Sequence, residues 1–325
     1  MRRFFVATAV AFLFAGTVGA SAQSTTDTWP DRPIRWIVTH AAGGASDVIC
    51  RLVADKLSEV LGKRVYVENR PGGATVVGTG EIARSAPDGY TIGFAADSFA
   101  INTAMGTQHF ESGKIPQPII RLMGYQFMLL TNAEKVPART FPKLVEQAKK
   151  DPNWLSFGSL GPTSTHELTF RALQKTAGFQ SVMVNYRGVG PALQDLVGGH
   201  VLSMLTGVGI ADDQIASGKI NALAVTGAQR LASAPTVPTV MEQGYPNFSF
   251  TGWYGVIVPR GIKPEILDKL NRELNRVLQL PDVRRRIELL GGEPGGGTAA
   301  QFEAQVLADI EKYRTLVATS EKAAR

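Results

Sequence analysis

The feature that most narrows the fold is an alternation of short apolar runs with helical segments, joined by turns of small residues. Pro33 to Thr39 is an apolar run of strand length, and Ala41 to Ala45 is a glycine-rich turn. Ser46 or Asp47 stands where it can cap a helix that ends at Gly62. Arg64 to Glu68 reads as a second strand, Gly78 to Ser85 as a short helix, Asp88-Gly89 as a turn and Tyr90 to Ala95 as a third strand. Such a strand–helix–strand–helix–strand unit implies a parallel sheet with right-handed crossovers. The pattern then recurs. Phe127–Thr131, Leu155–Gly158 and Val182–Asn185 read as strands, with helices at Phe141–Lys150 and His166–Thr176 and another opening at Gly190-Pro191. The turn of this second unit is Ser159 to Thr165, rich in glycine and hydroxyls. Further strands are expected at Val201–Leu205, Ala222–Thr226 and Trp253–Val258, and three helices close the chain near Lys263–Leu278, Pro281–Leu290 and Ala299–Thr319.

The first residues belong to a different kind of segment. Arg2 and Arg3 precede an apolar run from Phe4 to Phe14, and Ala20-Ser21-Ala22 is a small-residue cleavage signal. This is the pattern of a secretory signal peptide over residues 1–22, too short in its apolar part to stay as a membrane span. The remaining chain is long enough for two domains. Cys50 is the only cysteine of the 325 residues, so no internal disulfide is available, and its amphipathic helical setting predicts a small buried hydrophobe. The net charge of +6 is scattered, with Arg284-Arg285-Arg286 as the one tight run, read as a solvated helix face. No aromatic–basic motif points to nucleic acid.

Two strand–turn–helix junctions carry the chemistry. A helix N-terminus offers free N–H groups and partial positive charge. Glycine lets an anion approach the backbone, and serine and threonine add hydroxyl donors. Two such loops facing one cleft would clamp a carboxylate or phosphate. Hydrolase chemistry lacks a G-x-S-x-G elbow or a recognisable triad order, and the four histidines, His40, His109, His166 and His200, have no metal-ligand spacing. Nucleotide-binding glycine motifs are absent as well. No enzyme activity, metal or cofactor is therefore expected.

Several motifs occur in order: Asp31-Arg32-Pro33-Ile34, Ala42-Gly43-Gly44-Ala45-Ser46-Asp47, Val67-Glu68-Asn69-Arg70-Pro71-Gly72-Gly73 and Ala86-Pro87-Asp88-Gly89-Tyr90-Thr91. Ser164-Thr165-His166, Tyr186-Arg187-Gly188, Pro191-Ala192-Leu193, Leu223-Ala224-Val225-Thr226 and Val237-Pro238-Thr239-Val240 follow. In this order they resemble the Bug-type solute receptors of tripartite tricarboxylate transporters, over essentially all of the chain after the leader. At His40 and Ala41 that family usually has an aromatic residue and a proline.

The resemblance implies an α/β, two-lobed periplasmic binding protein of the Venus-flytrap, type II-like kind, each lobe a mostly parallel sheet flanked by helices. Lobe one would comprise residues 23–126 plus 226–325, and lobe two residues 127–225. The implied ligand-binding residues are His40, Ala41, Ala42, Gly43, Gly44, Ser46 and Asp47 from the first loop, and Gly161, Thr163, Ser164, Thr165 and His166 from the second. Tyr186, Arg187, Gly188 and Thr206 are expected to border the same cleft. The implied partners are a small organic carboxylate and a membrane permease, with the receptor itself a soluble periplasmic monomer. A sensor that signals to a membrane partner would share the same cleft.

Overall fold

A computed structural model describes residues 29–108, 110, 114–161, 164–207 and 209–323. The leader expected at residues 1–22 lies outside the described residues, as does Thr163. The chain lays down β1 (Ile34–Val38), α1 (Ala45–Leu61), β2 (Val65–Asn69), α2 (Val76–Arg84), β3 (Thr91–Ala96), α3 (Asp97–Ala104) and β4 (Gln117–Tyr125). It continues with β5 (Met128–Asn132), α4 (Phe141–Lys150), β6 (Ser156–Ser159), α5 (Thr165–Ala177), β7 (Val182–Asn185), α6 (Val189–Val197), β8 (Ser203–Thr206), α7 (Asp212–Ala216) and β9 (Ile220–Val225). It closes with β10 (Gly252–Val258), α8 (Pro264–Leu278), α9 (Pro281–Leu289), β11 (Gly292–Gly296) and α10 (Ala299–Ala323).

The strands form two sheets. The first has the order β11-β4-β10-β3-β1-β2 and the second β7-β6-β8-β5-β9. Parallel pairing is confined to β2–β1–β3 and β7–β6–β8. The other neighbours are antiparallel. The expected mostly parallel sheets are thus mixed, and the reason is topological. The inserted antiparallel strand is β10 in one sheet and β5 in the other, the first strand each sheet receives after the chain crosses from the other sheet. A strand–helix–strand crossover enforces parallel pairing, whereas a strand entering from the opposite lobe is free of that constraint. Apart from the extra edge strand β11, the two sheets share one order.

Local sequence explains the elements nearest the cleft. β1 is buried at four of its five positions, as a central strand covered on both faces must be. Ile49, Cys50, Val53, Ala54 and Leu57 line the inner face of α1 at helical spacing, and Gly62 ends the helix in the left-handed conformation at φ 65°. Burial pushes the Cys50 thiol well up, in keeping with an inert hydrophobe.

The chain crosses between the sheets at residues 126–127 and again beyond Thr226, and the two crossings are bonded to each other. Thr226 N–H donates to Phe127 O at 2.9 Å, and Phe127 N–H donates to Thr226 Oγ1 at 3.0 Å. Gln126 Oε1 accepts from Gly227 N–H at 3.0 Å. Among the described residues no helix is long and apolar enough to cross a membrane.

Candidate functional site

A cavity of about 590 Å³ lies between the lobes. The first lobe contributes Thr39, His40 and Ala41 from the end of β1, Pro71, Gly72, Ala74 and Thr75 after β2, Ala96, Asp97 and Ser98 after β3, and Tyr125 and Tyr254. The second lobe contributes Leu160, Ser164, Thr165 and His166. Most of these residues stand at carboxyl ends of strands or first turns of the following helices, where open α/β sheets place ligands. A second cavity of about 450 Å³ shares Tyr125, His166 and Tyr254 and reaches Val189, Ile210 and Leu289.

The two loops that enter α1 and α5 are built alike. Gly43 takes φ +86° and Gly161 φ +108°, a region glycine enters without strain. A Cβ would meet nothing within 4 Å at either position, so backbone conformation, not crowding, requires glycine. The third helical residue is an acid in both, Asp47 and Glu167, with an arginine four residues on, Arg51 and Arg171. Asp47 accepts from Gly43 N–H at 3.0 Å, from Asn69 Nδ2 at 3.0 Å and from Arg51 Nε at 3.1 Å. Glu167 accepts from the Ser159 hydroxyl and from Arg171 Nε at 2.7 Å, and Ser159 Oγ in turn accepts from Gly161 N–H at 2.9 Å. Each acid therefore reaches back to its loop glycine, directly in one lobe and through a serine in the other. This leaves first-turn N–H groups of both helices, which have no partner within the helix, as the natural donors to an anion.

The capping differs from expectation. Gly44 is the N-cap of α1 and no side chain caps it. Ser46 instead pairs its Oγ with His40 Nδ1 at 3.0 Å, and Asp47 ties the loop to β2. At α5 the cap is Ser164, whose Oγ accepts from Glu167 N–H at 3.2 Å and donates to Gly161 O at 2.7 Å.

The charge in the cavity is sparse. Among the described residues that line it, none is lysine or arginine. Burial lowers the pKa of His40 and takes that of His166 down to about 4, so both rings are neutral near pH 7. Asp97 is 3% exposed and its carboxyl is pushed up to about 6 by burial, against the hydrogen bonds from Tyr125, Thr165 and the Ser98 backbone. The Tyr125 hydroxyl donates to Asp97 Oδ2 at 2.6 Å. The Tyr125 and Tyr254 rings stand 5.3 Å apart between centroids, and His40 and Phe94 meet Tyr254 edge-on at 6.4 and 5.1 Å.

The profile of the tripartite tricarboxylate transporter family receptor matches residues 49–320. The chain belongs to that receptor family. Protein BugT of Bordetella pertussis is 32% identical to the receptor over 311 residues, 95% of each chain. The receptor also superposes on solved structures. The periplasmic binding protein BugD gives a TM-score of 0.72 at 28% identity, covering 90% of this chain and 99% of that one. An R. palustris protein with adipate gives 0.74 at 26% identity (90% and 98%), and MatC of Rhodopseudomonas palustris with bound malate gives 0.72 at 26% identity (89% and 100%). The two-lobed binding-protein fold follows, and the family is one of receptors, not enzymes.

Within the receptor, the structure brings His40, Ala41, Ser164, Thr165 and His166 onto the cavity wall. Ala42, Gly43 and Gly44 are exposed beside it, and Gly161 lies between the wall residues Leu160 and Ser164 of the second loop. Ser46 and Asp47 are buried behind the wall as supports, because their polar atoms face His40, Asn69 and Arg51. Tyr186, Arg187 and Gly188 do not line either cavity. The Tyr186 hydroxyl donates to Asp195 Oδ2 at 2.7 Å, Arg187 is exposed, and Gly188 caps α6. Thr206 lies off both walls with its Oγ1 buried and unpartnered among the described residues. Sequence reasoning missed Asp97, Tyr125 and Tyr254. A signal for Asp97 existed, since it is an acid at the carboxyl end of a strand within an otherwise apolar run. The two tyrosines had none, because they enter from the antiparallel pair β4 and β10.

Proposed function

We propose that this receptor is a periplasmic solute-binding protein that holds a small organic carboxylate between its lobes and delivers it to a membrane permease. The observation that carries the reading is a cavity between the lobes that the loop entering α1 borders through His40 and Ala41 and the N-terminus of α5 borders through Thr165 and His166, the two loops being braced in the same way. Donors at those termini favour an anion, and the wall supplies hydroxyls without a lysine or arginine. Adipate and malate in two relatives are carboxylates of a size such a cavity accommodates. The leader at residues 1–22 would export the chain. Residues 23–126 with 226–325 form one lobe in this reading and residues 127–225 the other, closing about the paired crossings by a hinge motion.

A melting screen of mono-, di- and tricarboxylates and amino acids tests the proposal. A ligand present at about 100 times its dissociation constant adds about 2.7 kcal/mol of stability, so at least one acid should raise the melting temperature clearly. A response confined to sugars or to amines without a carboxylate would refute it. Thr165, which lines the cavity, and Ser46, which supports it, should separate in calorimetry. Thr165→Ala is expected to weaken binding by about 1–3 kcal/mol, because it removes the hydrogen bond by which the cavity wall of the second lobe holds Asp97. Ser46→Ala should do less, since its hydroxyl is engaged by His40.

A further inference from the structure

The wall around Asp97 has the wrong chemistry for a second carboxylate. Asp97 is the one carboxylate among the described residues that line the cavity, and the histidines beside it are neutral. A carboxylate of the solute placed there would meet a like charge in a buried setting, which disfavours both ionised forms. The group that such a site does recognise is a cation. A buried carboxylate with acceptor capacity to spare binds an ammonium group by charge-assisted hydrogen bonds, and tyrosine rings on the same wall add attraction to a cation.

We infer that the solute is a zwitterion, its carboxylate at the loop entering α1 and its ammonium group on Asp97 beside the Tyr125 and Tyr254 rings. The inference rests on the carboxylate reading above and narrows it. Several observations support it independently of the loops. Asp97 receives donors from Tyr125, Thr165 and the Ser98 backbone, and an ionised carboxylate has about four acceptor sites, so capacity remains for a further donor. No lysine or arginine lines the cavity beside Asp97 among the described residues, and the groups that stabilise its charge are the Tyr125 and Thr165 hydroxyls and the backbone at the start of α3. The Ser98 hydroxyl, next in sequence and also on the wall, is buried without a partner among the described residues. The Tyr125–Tyr254 pair is held by Phe94, His40 and Phe127, with Phe127 5.6 Å from Tyr125 between centroids, so the rings are set by packing before any solute arrives. Asp97 also joins the lobes, since its carboxyl is bonded to Tyr125 of the first and Thr165 of the second. An ammonium group there would contact a point at which both halves of the cleft meet.

The test is calorimetry on the purified mature protein with matched probes: α- and ω-amino acids and the dicarboxylates of equal chain length. At least one amino acid is expected to bind at least about tenfold tighter than its matching dicarboxylate. Asp97→Asn, which keeps the shape and the acceptor for Tyr125, should lose that preference, weakening the amino acid about tenfold or more and leaving the dicarboxylate unchanged or tighter. The wild-type comparison alone decides the matter if the variant misfolds. Dicarboxylates that bind while every amino acid fails would overturn the zwitterion and leave the carboxylate reading standing, as would equal binding of the amino acid to wild type and Asp97→Asn. Binding of amines without a carboxylate, with no acid of either kind bound, would overturn the carboxylate reading itself.

Discussion

Glu167→Ala is expected to destabilise the receptor by about 2–4 kcal/mol and to weaken solute binding in the same variant. Glu167 is 2% exposed and anchors the second loop through Ser159 and Arg171. Its removal leaves the buried Ser159 hydroxyl without its acceptor and opens a void behind the loop, while Arg171, a third exposed, remains solvated. Glu167→Gln keeps an acceptor for Ser159 and loses only the charge toward Arg171, so it should cost about 1 kcal/mol. Chemical denaturation of the three proteins gives the ranking, and calorimetry with a bound acid gives the loss of affinity. Equal stability of Glu167→Ala and wild type would show that the loop holds its shape without the brace.

Asp97→Asn should raise stability near pH 8 by up to about 3 kcal/mol, and the gain should shrink toward zero by pH 4. Burial raises the Asp97 carboxyl from 3.8 to about 6, so the fold disfavours its charged form. That cost is absent below the unfolded value, develops between pH 4 and pH 6 and is complete above the folded one. The wild-type profile alone would hide it, because His166 acts in the opposite sense. Its pKa falls from 6.5 to about 4, so the unfolded chain takes up a proton first and stability is lost as pH drops through that window. Asp309, also raised by burial, titrates on the same side as Asp97. Melting curves of wild type and variant at matched pH isolate the Asp97 share. A difference that stays constant from pH 4 to pH 8 would mean that Asp97 does not titrate in this range.

Both helix N-termini were legible in the sequence because their signals are local. A strand, a left-handed glycine and a helix start within a few residues mark a tight turn whatever the rest of the chain does. That is why His40, Ala41 and Ser164 to His166, all on the cavity wall, are readable from the sequence alone. The supports were read as contacts for a different reason. Asp47 and Ser46 share the composition of a capping motif, and only the position of Asn69 on β2 and of the His40 ring turns them away from the cavity. Asp97, Tyr125 and Tyr254 meet through pairing of β3 with β10 and β10 with β4, which follow the second crossing of the chain. No window of sequence contains that event. β11 was missed because Gly292-Glu293-Pro294-Gly295-Gly296 has no strand propensity and pairs only because β4 offers it an edge. The mixed sheets have the same origin in long-range connection.

The lack of lysine and arginine among the described residues of the wall also bears on how a solute leaves. Attraction to a fixed cation decays slowly with distance and would hold an acid at the mouth of an opening cleft. Hydrogen bonds from N–H groups and hydroxyls fail once their partners part by a fraction of a bond length, and water takes over at each oxygen. The grip on the acid group is therefore short-range, with little left to pull that end of the solute back. Under the proposed function, unloading at a membrane is then a mechanical event in which spreading the lobes frees the acid group first.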